Sequence, residues 1–245
     1  MRGVYPLGMS ATNSGVTPRP GFSYSNLLAI YSRDQFRGPN GEIVATGNQS
    51  VVMDLNSIVW VSRKEILGGA KFSLSATLPV ANNSLTSDVT GPVGASTLTH
   101  RTTSVPVIGP TSSHRAKPVW LTQNKRTAIS AFQMYEFHTT QEETQIKPGQ
   151  TLNLDYSLTH LIPLGSDLSL QIGLAGYNQW QTTDKTGPTI TPEQAAEHYR
   201  VNALGFAANV NMPARVNVGV KYFKEFLNRS TFQGYSFQLS GAISF

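Results

Sequence analysis

Tyr235-Ser236-Phe237-Gln238-Leu239-Ser240-Gly241-Ala242-Ile243-Ser244-Phe245 closes the sequence with a strict two-residue rhythm. Tyr235, Phe237, Leu239, Gly241, Ile243 and Phe245 fall on one face, and Ser236, Gln238, Ser240, Ala242 and Ser244 on the other. Successive side chains of a strand point to opposite faces, so this is a strand with one apolar and one polar side. The rhythm recurs upstream. Phe72, Leu74, Ala76 and Leu78 alternate with Ser73, Ser75 and Thr77. Leu152, Leu154, Tyr156 and Leu158 alternate with Asn153, Asp155, Ser157 and Thr159, and Leu168, Leu170, Ile172 and Leu174 with Ser169, Gln171, Gly173 and Ala175. Val216, Val218, Val220 and Tyr222 alternate with Asn217, Gly219, Lys221 and Phe223, and Val51, Met53 and Leu55 face away from Asp54 and Asn56.

Composition decides which solvent meets the apolar faces. Charged residues are 13% of the 245-residue chain, against roughly 25% in soluble domains. The longest apolar stretches, Leu27–Tyr31 and Ile58–Val61, fall far short of the roughly 18 residues of a transmembrane helix. A chain of this kind that enters a membrane does so with strands. The net charge of +5 suits anionic lipid headgroups, lipopolysaccharide or an anionic solute. The basic residues are scattered, without the aromatic-interleaved stripe of a nucleic-acid surface, so no nucleic-acid partner is expected. There are no cysteines, which excludes disulfides and thiolate metal sites. Met1-Arg2-Gly3-Val4 opens without the apolar core of a secretory signal. For an exported protein this reads as a signal removed or left out.

A soluble sandwich and a transmembrane barrel both use alternating strands, and the connections separate them. Strands are expected at 22–32, 50–62, 69–80, 115–122, 126–138, 149–162, 166–182, 197–212, 214–228 and 232–245. Most gaps alternate long and short: 33–49 then 63–68, 81–114 then 123–125, 139–148 then 163–165, 183–196 then Pro213. Barrels with short periplasmic turns and long external loops have this pattern. The expected fold is therefore all-β, a closed antiparallel transmembrane β-barrel of about ten strands, twelve if the longest gap hides another pair. An even count puts both termini on the periplasmic side. Residues 22–245 would form the barrel and 1–21 an N-terminal segment, either a periplasmic tail or a lumen plug. Asn82–Ser113, rich in Ser, Thr, Gly and Pro, reads as a mobile external loop. Thr191-Pro192-Glu193-Gln194 carries a capping box with Pro at the first helical position, predicting a short helix from Pro192 to about His198.

Several pieces in order resemble the outer-membrane family named for the meta-pathway of phenol degradation. They are Asn13-Ser14-Gly15-Val16-Thr17-Pro18-Arg19-Pro20-Gly21-Phe22, Val59-Trp60-Val61, Ile66-Leu67-Gly68-Gly69, Leu78-Pro79-Val80, Gly176-Tyr177-Asn178-Gln179-Trp180-Gln181, and Lys221-Tyr222-Phe223-Lys224-Glu225-Phe226 with Asn228-Arg229. Ending on an aromatic, Phe245, is also characteristic of outer-membrane barrels. The span Asn82–Ser113 departs most, and Ser112-Ser113-His114-Arg115 is unusually basic. The resemblance implies a bacterial outer-membrane barrel linked to uptake of hydrophobic or aromatic compounds. Its partners would be outer-membrane lipid and lipopolysaccharide, a small hydrophobic or aromatic solute, and the barrel-assembly machinery through the terminal strand. It carries over no residue-level mechanism.

No cofactor, metal or catalytic constellation emerges. Ser157 and His160 are close in sequence, yet three positions apart on a strand they face opposite sides. His138 with Glu142 and Glu143 reads as a solvated loop, and no metal-ligand spacing supports a metal. Asp54, Asn56, Lys71, Asn153, Asp155, Gln171, Lys221 and Glu225 are the lumen-lining candidates. Mixed charge in a narrow interior fits two functions: a passive channel for small hydrophobic or aromatic solutes, or a structural or adhesive barrel with a filled lumen and partner-binding external loops. An enzymatic role is not expected.

Overall fold

A computed structural model of the protein describes residues 5–12, 20–66, 70–91, 94–104, 119–121, 126–142 and 144–245. At 65–66, 70–73, 83–91, 94–104 and 119–121 it describes the backbone alone. The elements are β1 (Gly21–Arg37), β2 (Ile43–Ile66), β3 (Ala70–Gly91), β4 (Gly94–Ser104), β5 (Val119–Leu121), β6 (Thr127–Glu136), β7 (Thr151–Pro163), β8 (Ser169–Gln181), α1 (Pro192–Ala196), β9 (Arg200–Met212), β10 (Val216–Glu225) and β11 (Thr231–Ser244). These eleven described strands make one sheet, ordered β4-β3-β2-β1-β11-β10-β9-β8-β7-β6-β5. Every pairing is antiparallel, and the first strand meets the last from Ser23↔Ser244 to Arg37↔Thr231. The Phe245 amide donates to Phe22 O at 2.8 Å, so β1 begins and β11 ends at one rim.

Strand lengths report the solvent. β6 and β10 have ten residues each. At about 3.3 Å per residue and a tilt of about 40°, ten residues rise roughly 25 Å, the height of the apolar band of a membrane barrel. β2 and β3, with 24 and 22 residues, run well beyond that band.

This extension corrects two expectations. The gap expected at 33–49 is a tight turn, because β1 continues to Arg37 and β2 starts at Ile43. Gly38 N donates to Glu42 O at 2.8 Å and Gly41 N to Gly38 O at 3.0 Å, with Gly41 at φ 86°. The external loop expected at Asn82–Ser113 is, through Ser104, a hairpin paired from Ala81↔Ser104 to Gly91↔Gly94. Residues 105–113 lie outside the described residues, as does most of the strand expected at 115–122. Above the membrane both faces of a strand meet water, so no apolar alternation marks it, and Ser- and Thr-rich sequence reads as loop although Thr favours strands. The long connections, 137–150 and 182–199, stand at the rim opposite the termini, and Pro213–Arg215 makes a short turn at the terminal rim. Helix α1 has the expected cap: Gln194 N donates to Thr191 Oγ1 at 3.3 Å and Thr191 N to Gln194 Oε1 at 3.1 Å.

The sheet is polar within and apolar without. On β7, Thr151, Asn153, Asp155, Ser157 and Thr159 are buried while Leu158 is exposed. Leu174 and Phe206, on the outer faces of β8 and β9, are 57% and 54% exposed. A water-facing sheet would reverse this arrangement. Phe22, Trp60 and Phe245 lie outward at the terminal rim, and Tyr135 at the opposite one, as aromatic girdles do. Replacing Leu174→Arg on the outer face is expected to cost about 2–4 kcal/mol in a bilayer. The inward and exposed Ser75→Lys is expected to cost less than about 0.5 kcal/mol. Denaturant titration of bilayer-inserted protein, followed by tryptophan fluorescence, checks both.

Candidate functional site

The interior is built around residues 5–12, which belong to no strand. Two successive turns fold this segment, with Met9 N donating to Pro6 O at 3.1 Å and Ala11 N to Gly8 O at 3.2 Å. Leu7 and Ala11 are buried in one apolar cluster with Ala175, Tyr177, Val201 and Phe223. Gly8 is required twice over. Its φ is +81°, and a Cβ there would lie 2.7 Å from the Phe223 ring. Phe223 and Tyr177 meet edge to face at 5.0 Å beneath it.

Polar groups from widely separated strands hold the segment's backbone. Asp155 on β7 accepts from Tyr5 Oη at 2.5 Å, Gly8 N at 3.1 Å and Ser10 N at 3.0 Å. Lys221 Nζ on β10 donates to Gly8 O at 3.0 Å and Met9 O at 2.7 Å. Leu7 O accepts from Gln238 Nε2 on β11 at 2.8 Å and from Tyr31 Oη on β1 at 3.2 Å. Glu136 on β6 accepts from Tyr5 N at 2.9 Å. Strands far apart in the sheet order thus converge on a few residues, so the sheet curves round them. Asp155 is 0% and Lys221 4% exposed. Ionised groups buried this deeply persist only when hydrogen-bonded, and here the segment supplies the bonds.

The other inward candidates form supporting networks. Asn153 Nδ2 donates to Glu136 Oε2 at 2.7 Å, and Gln179 Nε2 donates to Asn153 Oδ1 at 2.7 Å. Gln171 Nε2 donates to Thr159 Oγ1 at 2.8 Å. Glu225 accepts from Tyr177 Oη at 3.1 Å, Asn228 Nδ2 at 3.0 Å and Gly234 N at 3.1 Å, with Arg33 Nε 3.9 Å away.

Asp54 and Asn56 stand elsewhere, which corrects their expected inward placement. Residues opposite one another share a face, and Tyr31, whose hydroxyl reaches inward to Leu7 O, is opposite Val51. Val51, Met53 and Leu55 therefore face inward, and Asp54 and Asn56 outward with Leu28 and Asn26. The apolar face of β2 misled because the interior is itself apolar along β1 and β2, where Leu27 and Leu55 are buried. Outside, the polar groups satisfy one another. Asn26 Nδ2 donates to Asp54 Oδ1 at 2.5 Å and to Asn56 Oδ1 at 3.1 Å, and Tyr24 Oη donates to Asn56 Oδ1 at 2.6 Å. The Lys71 backbone lies opposite Glu65, and its side chain is outside the described residues.

Tyr5, Gly8, Tyr31, Phe132, Glu136 and Gln238 were not among the sequence candidates. Pro6-Leu7-Gly8 carried a turn signal; nothing in it pointed to what the turn packs against. Ser157 faces inward, whereas His160, opposite Ile172 on the outer face, bonds Thr127 Oγ1 at 2.8 Å. The His138 ring is held by Gly149 O at 2.7 Å.

An antiparallel sheet with a polar, occupied interior and a lipid-like exterior defines the class of outer-membrane β-barrel folds. The sequence profile of the family described as "Putative MetA-pathway of phenol degradation" matches residues 110–240, and the chain belongs to that family. Its fold is similar to that of the COG4313 outer membrane channel from Pseudomonas putida F1, with a TM-score of 0.65 at 9% identity over 94% of this chain and 97% of that one. OccK7 (OpdD) of Pseudomonas aeruginosa aligns with a TM-score of 0.29 at 8% identity, over 92% of this chain and 99% of the other. No curated protein matches significantly in sequence.

The absence of native cysteine gives a direct test of the β2 register. Nitroxide labels at Asn56→Cys and Ser57→Cys are expected to differ in power-saturation EPR. The first relaxes with oxygen in lipid and the second with a water-soluble nickel chelate; equal accessibility would refute the register. Asp155→Asn exchanges a charged acceptor for a neutral amide at bonds of roughly 1.5–3 kcal/mol. Amide exchange at Gly8 and Ser10 is expected to rise about ten- to hundred-fold, measured by mass spectrometry of the N-terminal peptide.

Proposed function

We propose that the protein is a passive channel of the bacterial outer membrane for small hydrophobic or aromatic solutes, with residues 22–245 as a closed barrel and 1–21 supplying a plug. The observation that carries this reading is the seating of 5–12 inside the polar face by bonds to its backbone, which no strand pairing makes permanent. A plug held this way can leave without breaking the sheet. Family membership supports the solute class, and the fold likeness supports channel and location.

For a closed barrel, strand direction bears on the count. Counting antiparallel steps both ways from β1, the edge strands β4 and β5 run in the same sense. Strictly antiparallel closure then calls for one more strand between them, giving the even total of twelve. In this reading the termini and short turns are periplasmic, the connections 137–150 and 182–199 are external, Asn153, Asp155, Gln171, Lys221 and Glu225 line the lumen, and the strand ending in Phe245 is what the assembly machinery meets.

A filled structural barrel is the second reading, favoured by the dense bonding of Glu225 to Tyr177, Asn228 and Gly234. The two part on conductance. Gly8→Val, which places a side chain against Phe223 and strains a positive φ, is expected to raise planar-bilayer conductance and arabinose flux into liposomes several-fold over the wild type. No flux through either protein would refute the channel and leave the filled barrel.

A further inference from the structure

We infer that the pocket occupied by the Tyr5 side chain is a binding site for phenolic solutes, for which the chain's own tyrosine stands in. Beyond its Cβ, a tyrosine side chain is 4-methylphenol. The Tyr5 ring stacks on Phe132 with centroids 5.6 Å apart and planes 29° from parallel. Its hydroxyl donates to Asp155 Oδ2 at 2.5 Å and accepts from Ser10 N at 3.1 Å. A flat apolar shelf beside a carboxylate at the hydroxyl's position is the chemistry a phenol requires: ring contact for the aromatic body, and a charge-assisted acceptor for the acidic O–H.

The recognising groups belong to the wall. Phe132 on β6 and Asp155 on β7 are cross-strand partners in register, both on the inner face, so strand pairing fixes their spacing whether or not residues 5–12 are present. The segment contributes the occupant and the Ser10 amide. When the segment leaves, Asp155 loses Tyr5 and the Gly8 and Ser10 amides, and a phenol supplies a donor in the place of the Tyr5 hydroxyl. Tyr5 as a whole is only partly buried.

The inference rests on the reading of the interior as a solute path and assigns it a specificity. A phenol that takes the place of Tyr5 loosens the segment it anchors, so the solute itself unlatches the plug. Its competitor is tethered to the same chain, at an effective concentration on the order of millimolar. Opening therefore responds to abundant solute and is silent to traces.

Titration calorimetry with 4-methylphenol, toluene and 4-methoxytoluene tests the site in detergent-solubilised wild-type protein and in Tyr5→Ala, which vacates the pocket. We expect 4-methylphenol to bind Tyr5→Ala at least about ten-fold tighter than the wild type. The two analogues that cannot donate should bind at least about ten-fold more weakly than 4-methylphenol, because a site built for a hydroxyl rejects partners lacking one. On the Tyr5→Ala background Asp155→Asn should abolish the difference, and Phe132→Ala, separately, should weaken all three compounds. Heat-modifiable gel migration confirms folding, and if Asp155→Asn does not fold, Phe132→Ala decides. A nitroxide at Met9→Cys, an exposed position, is expected to gain mobility on addition of 4-methylphenol to otherwise wild-type protein. Equal binding of all three compounds, binding of none, or an immobile label at saturation overturns the inference. Arabinose flux through Tyr5→Ala separates the two readings. Flux without hydroxyl-selective binding overturns the site and spares the channel, and selective binding without flux upholds the site and removes the channel.

Discussion

Inside hydrocarbon no water is available to a peptide N–H or C=O, so each strand that crosses must find partners on both sides within the protein. The pairing of β1 with β11 meets this demand for the two ends of the chain over its whole length, from Ser23↔Ser244 to Arg37↔Thr231. Much else follows from it. It brings both ends of the sheet's sequence to one rim, places Tyr31 beside Ser236 and Gln238, and so gathers the donors that meet Leu7 O. The interior holds residues 5–12 because the pairing turns the inner faces of early and late strands toward the same segment.

The fold was legible wherever strands lie within the apolar band. There one face must be greasy and the other need not be, and the period-two pattern of Tyr235–Phe245, Leu152–Thr159 and Val216–Phe223 follows directly. It was illegible where the strands run beyond the band, along Ala81–Gly91 and Gly94–Ser104, whose composition alone suggests a loop. Among the site residues, Asn153, Asp155, Gln171, Lys221 and Glu225 carry inward polarity that alternation exposes. Asp54 and Asn56 obey the same alternation and are nevertheless outward, because periodicity separates two faces without saying which is inside. Only the partner strand, through Tyr31 opposite Val51, settles that. Tyr5 and Gly8 had no periodic context, and their meaning lies in contacts with residues more than a hundred positions away.

The interior is a demanding place energetically. Buried polar networks rigidify when complete and become liabilities when a member is lost. Glu225, with three donors, and Asn153, bonded both to Glu136 and to Gln179, belong to the strand framework itself. Asp155 and Lys221 instead spend their hydrogen bonds on a segment outside the sheet. The inner face is thus divided between groups that brace the wall and groups that hold residues 5–12.

The β1–β11 pairing joins residues more than two hundred positions apart, whereas β6, β7 and β8 are consecutive hairpins. Loop-closure entropy makes the distant pairing slow and the local ones fast. The wall carrying Phe132 and Asp155 can therefore form before β1 meets β11, and the N-terminal segment then has a seat to settle on. Residues 5–12 then act as a template for curvature, with their backbone carbonyls drawing Lys221, Gln238 and Tyr31 inward from β10, β11 and β1.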